Sequence, residues 1–84
     1  MNMTNKNHDT LETKDFYLAS YILTQGVKLS HLDRTDPRRV VFVFENVKNR
    51  ENLVRDFLYR KALVEPQDFV DRIKTLKQFL YSND

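Results

Sequence analysis

The sequence predicts an α+β domain: one β-hairpin packed with three helices, in the order α-β-β-α-α. Three observations carry that reading. The run RVVFVFE, residues 39–45, is extended-type and apolar on both faces. Three further segments, near residues 16–23, 53–58 and 69–80, repeat apolar residues at helical spacing. Gly26 and Pro66 stand where one helix should stop and another should start.

Residues 1–12 are rich in Asn and Thr and show no hydrophobic period, so they read as a mobile tail that includes His8. A single domain is expected over residues 13–82. Thr13 or Asp15 can cap the first helix. Phe16, Leu18, Ala19, Ile22 and Leu23 then fall on one arc of about 160°, with Ser20 and Thr24 opposite and Tyr17 and Tyr21 at its flanks. Gly26, the one glycine of the chain, follows as the natural left-handed stop.

Val27 to Leu32 alternates as a strand should, and Asp33-Arg34-Thr35-Asp36-Pro37 is turn chemistry. In the next strand Val40, Phe42 and Phe44 point one way, and Val41 and Val43 the other. A two-stranded hairpin on helices normally keeps one polar face. Cover on the second face is therefore expected from helices, a further strand or a second subunit. A dimer, or membership of a larger assembly, follows as an expectation. Asn46 or Asn49 can cap the second helix, whose stripe is Leu53, Val54, Phe57 and Leu58. Glu65 and Pro66 open the third, with Val64 and Phe69 spaced as a hydrophobic staple. Phe69, Ile73, Leu76 and Leu80 form its buried stripe, and Phe79 and Tyr81 extend the apolar border.

The run Asp15-Phe16-Tyr17-Leu18-Ala19-Ser20-Tyr21-Ile22-Leu23, then Gly26, Val41-Phe42-Val43-Phe44, Pro66, Phe69 and Leu76-Lys77, resembles a small prokaryotic and phage family known as a domain of unknown function. The resemblance spans about residues 13–81. It implies no catalytic residue and no ligand, and it favours a bacterial, archaeal or phage origin.

Length and composition narrow the function. Eighty-four residues hold one domain at most, and a domain this small buries only about 60–65% of its unfolded surface. With no cysteine there is no disulfide, thiolate metal site or thiol nucleophile. The first residues lack the basic start and apolar core of a signal peptide, and no apolar run approaches a membrane span. A cytoplasmic protein is expected.

Catalysis is not expected, nor is any cofactor or metal. His31 is the one plausible base in the folded part. Neighbouring Ser30 should point to the opposite strand face, so that the two cannot pair. His31 and Asp33 share a face but read as a polar contact at a strand end. Asp68 and Asp71 fit a helix start better than a metal site. One glycine cannot build a phosphate-cradling loop.

Charge distribution supplies the best candidate. The net charge is +2, yet residues 34–61 carry eight cations against four acids, and the segments on either side each carry −1. Glu51–Arg55 and Asp56–Arg60 are spaced as i, i+4 ion pairs, which would occupy two of those arginines. The rest, Arg34, Arg38, Arg39, Lys48, Arg50 and Lys61, are the candidate nucleic-acid-binding residues, on the hairpin turn and the second helix. Tyr59 beside Arg60 could stack on a base. The leading expectation is thus a small non-catalytic module that binds DNA or RNA. The alternative is a protein-interaction or inhibitor module working through a strand edge or through Tyr17 and Tyr21. Convergence of Arg38, Arg39, Lys48 and Arg50 would favour the first. Scattered charge around an apolar face would favour the second.

Overall fold

The computed structural model describes residues 9–82. Six elements follow one another: β1 (Leu11–Thr13), α1 (Phe16–Thr24), β2 (Leu29–Asp33), β3 (Val41–Phe44), α2 (Arg50–Leu58) and α3 (Pro66–Tyr81). The class is α+β with three helices, as expected, but the order is β-α-β-β-α-α. His8 and the rest of the expected tail before residue 9 lie outside the described residues.

The difference is β1. Leu11 and Glu12, expected in the tail, open a strand that pairs antiparallel with β3, Leu11 opposite Phe44 and Thr13 opposite Phe42. β2 pairs with the other side of β3, so the sheet order is β1-β3-β2. A three-residue strand is too short to show a period, and its one apolar residue, Leu11, is buried in the core.

That third strand answers the question posed by the doubly apolar segment. β3 is central. Phe42 and Phe44 join the core with Leu18, Ala19, Ile22, Leu53 and Leu76, Phe42 edge-on to the Phe16 ring of α1. Val43 points the other way. It lies outside that cluster yet is buried, flanked on one side by Glu12 and on the other by His31. Neighbouring strands supply its cover, and no second subunit is needed to explain it. Val40 and Val41 are only half-buried, and the strand begins at Val41.

α1 is buried almost all round. Asp15 caps it, its Oδ1 accepting from the amides of Tyr17 (2.9 Å) and Leu18 (3.1 Å). Gly26 ends it at φ +84°. Ser20, expected on the wet side, is fully buried and donates from Oγ to the Phe16 carbonyl at 3.0 Å. The helix lies between β1, α2 and α3, so its polar side is covered as well.

The turn between β2 and β3 is built as its sequence predicts. Asp33 Oδ1 accepts from Thr35 N (2.9 Å) and Thr35 Oγ1 (2.6 Å), and Asp36 Oδ1 accepts from Arg38 N at 3.0 Å. α3 also starts as predicted: Glu65 accepts from Gln67 N (3.1 Å) and Asp68 N (2.7 Å), with Pro66 at the first turn.

Three expectations at α2 and α3 fail, one of them Leu58, expected in the apolar stripe of α2 but 63% exposed. Asn49 occupies the cap position of α2 but makes no side-chain cap bond, and Asn46 sits at φ +63° in the preceding loop. Phe79 and Tyr81 do not border the core. They are 46% and 79% exposed at the end of α3.

Candidate nucleic-acid interface

The six candidate cations divide by what their side chains do. The Arg34 guanidinium donates to the carbonyls of Phe79 (3.0 Å) and Leu80 (3.1 Å), satisfying the end of α3. Arg50 Nη1 donates to the Thr10 carbonyl at 2.7 Å and so fastens the entry of β1 to the start of α2. Both are ties within the fold. Arg38 is 90% exposed and lies 3.7 Å from Asp36. Arg39, Lys48 and Lys61 are exposed.

These cations do not gather at one place. Arg38 and Arg39 precede β3, whereas Lys48 and Arg50 follow it. A four-residue strand of about 10 Å separates the two groups, at opposite ends of the sheet.

α2 is more basic at its surface than its spacing suggests. Among the described residues the ion pairs are Arg38–Asp36 and Arg72–Asp68. Neither expected pair on α2 forms. Arg55 donates instead to the Asn52 side chain. Arg60 has left the helix: Arg60 N donates to Phe57 O (3.3 Å) and Lys61 N to Asp56 O (2.8 Å), the two bonds of a Schellman end. Arg60 therefore occupies the left-handed position, φ +64°, that glycine usually fills. No Asp56–Arg60 ion pair forms among the described residues, and the Asp56 carboxylate acts instead on the Tyr21 phenol.

The result is a run Tyr59-Arg60-Lys61, all exposed, immediately after α2, with Arg55 one turn earlier. Tyr59 is 66% exposed. Arg55 and Tyr59 also line a groove of about 430 Å³ between β1 and α2, whose apolar wall is Leu11, Val54 and Leu58 and whose carboxylates are Glu12 and Glu51. Sequence spacing discounted Arg60 because it assumed an unbroken helix to residue 60, and Arg55 because it offered Glu51 as the partner where the structure uses Asn52. Three consecutive surface-type residues, Tyr59-Arg60-Lys61, ahead of Ala62 were the available sign that the helix ends sooner.

The aromatic candidates also divide. Tyr17 is exposed, but Tyr21 is a core residue, 4% exposed and stacked on Phe57 with centroids 5.9 Å apart. It cannot meet a partner without unpacking α1 from α2. Burial, and secondarily the Asp56 carboxylate, push its phenol above the ordinary value.

Ser30 and His31 do pair, against expectation. Ser30 Oγ lies 2.9 Å from His31 Nδ1. The strand is bulged between Leu29 and His31, and a bulge turns two successive side chains to one side. Asp33, however, is held by Thr35, and no hydrogen bond joins it to His31 among the described residues. The Thr35 hydroxyl and amide, with a smaller contribution from His31, hold the Asp33 carboxyl below its ordinary value. Among the described residues no group of three or more His, Asp or Glu side chains could hold a metal ion, and no helix is long and apolar enough to cross a membrane.

Comparison with curated proteins and with solved structures finds no match. The family comparison does: residues 8–82, which include every element described above, match the family described as domain of unknown function DUF5659, and the chain belongs to that family.

Proposed function

We propose that this protein is a small non-catalytic module that binds nucleic acid through the end of its second helix; Arg38, Arg39, Lys48 and Arg50 do not converge, which counts against the hairpin turn as part of that surface. One observation carries the reading: exposed Tyr59 shares a groove with Arg55 and is followed in the chain by exposed Arg60 and Lys61, and none of these three cations makes an ion pair among the described residues. Exposed cations around an aromatic ring are the equipment of a surface that takes phosphates and a base face together. The left-handed backbone at Arg60 adds weight. Glycine would hold that position with less strain, so an arginine there suggests a use for its side chain.

The test is a salt series. Affinity for a labelled oligonucleotide should fall steeply as salt rises. The triple substitution R55A/R60A/K61A should weaken binding and flatten the log–log salt slope by about 2, at roughly 0.7 per lost contact to a single strand. R38A/R39A should weaken binding less. Unchanged affinity in the triple variant would remove the proposal.

A second reading, association with protein, is favoured by a different observation. Phe79 is exposed beside β2, an outer strand of the sheet, and Tyr81 is exposed at the end of α3. The bulge in β2 works against strand addition there, which leaves the exposed aromatic rings of α3 as the contact. A benzophenone amino acid at position 81 that crosslinks neither to a second copy nor to another protein would eliminate it.

A further inference from the structure

We propose that the groove between β1 and α2 seats one unpaired nucleobase that carries an exocyclic amine, stacked on Tyr59. This rests on the nucleic-acid reading above and adds to it a ligand class and a base preference. The groove has about 430 Å³ of space, within the range of small-ligand sites. Its apolar wall of Leu11, Val54 and Leu58 suits the flat face of a base, and Tyr59 offers a ring at the rim. Bases inside a duplex have both faces already stacked, so the occupant is a single strand or an unpaired loop.

Arg50 and Arg55 line the groove too, but their guanidiniums donate to the Thr10 carbonyl and to the Asn52 side chain, so the two carboxylates decide which base. Glu12 reaches the groove from β1 and Glu51 from the first turn of α2. An ionised carboxylate only accepts hydrogen bonds. Cytosine meets it with its N4 amine, a pairing known for Glu and Asp side chains. Thymine and uracil would present carbonyl oxygens to it on either side of one N–H. The same carboxylates repel phosphate. They turn the base edge inward and leave the backbone to Arg55, Arg60 and Lys61 on the rim and beyond it. One residue set thereby accounts for the mixture of acids and bases around a single groove, which a plain phosphate-binding patch would not contain.

The experiment is fluorescence anisotropy with labelled ten-nucleotide oligodeoxycytidine and oligothymidine and a mixed-sequence duplex, at low and moderate salt. Oligodeoxycytidine should bind about tenfold more tightly than oligothymidine, as expected for one good base contact. Tyr59→Ala should cost roughly tenfold or more on oligodeoxycytidine while Tyr59→Phe retains binding, because stacking needs the ring and not the hydroxyl. E12A/E51A should bring the two strands to similar affinity by raising that for oligothymidine. Tm of each variant checks that it is folded. Equal binding of the two strands by the unaltered protein, or no effect of Tyr59→Ala, overturns the base site while leaving phosphate binding in place. Failure of every nucleic acid to bind at low salt overturns both.

Discussion

Arg60→Gly should make the protein more stable and a poorer binder at once. Arg60 holds φ +64°, where a side chain costs roughly 1–2 kcal/mol relative to glycine. Glycine also widens the unfolded ensemble, which takes back about 0.5–1 kcal/mol. A little packing is lost too, since Arg60 lines a hollow with Phe57, Val64 and Phe69. At the centre of these ranges, and after the packing loss, the net gain is about 0.5 kcal/mol, a rise of roughly 2–4 °C in Tm for a domain of this size. The two Schellman hydrogen bonds are backbone bonds, and glycine keeps both. Gly26 provides the reverse experiment. It holds φ +84°, and an added Cβ would meet no atom within 4 Å. Gly26→Ala therefore suffers no clash, only the backbone cost and a smaller compensating change in the unfolded chain, and should lose about 1 kcal/mol. Thermal unfolding followed by circular dichroism reads both. A lower Tm for Arg60→Gly, or no loss for Gly26→Ala, would show that the left-handed backbone is not what sets these energies.

Other outcomes follow from the packing and the titrating groups. Leu11→Ala should cost about 2–4 kcal/mol in a denaturant titration, because Leu11 is 5% exposed in the core; a residue in a free tail would cost nothing. Thr35→Val should raise the Asp33 pKa toward its ordinary 3.8, as followed by carboxyl NMR. In the unaltered protein that lowered carboxyl stabilises the fold above pH 3.8, and its contribution is lost as pH falls through the folded value. An alkaline absorbance titration should show one phenol ionising late, above 10.0, and Tyr21→Phe should abolish that late step. Tyr21 is raised, so its contribution is complete below 10.0 and is lost as pH climbs through the folded value.

The helices and the β2–β3 hairpin could be read from the chain because each has its own local signal. Asp15, Gly26, Glu65 and Pro66 act on their immediate neighbours, and the structure uses all four as their chemistry dictates. β1 left no such mark. Its place depends on Leu11 meeting Phe44, thirty-three residues away, and nothing in Thr-Leu-Glu-Thr announces that pairing. Ser20 misled for a related reason: helical spacing tells which side is polar, not which side is covered. At the candidate interface the cations were visible but their employment was not. Arg34 and Arg50 are engaged by carbonyls distant in sequence, whereas Arg55 and Arg60 escape the pairs their spacing offers. The Ser30–His31 contact depends on a bulge, which alternation alone cannot foresee.

The middle strand of the sheet is the last of the three to be synthesised. β1 and β2 never touch along their length, so nothing can hold the earlier one in register until Val41–Phe44 has emerged. Closing the hairpin spans few residues; docking β1 spans about thirty and loses more chain entropy. The hairpin should therefore organise first and the N-terminal strand should lock down late. Weakening Leu11 would then leave the refolding rate nearly unchanged and speed unfolding, a division that stopped-flow kinetics can read directly.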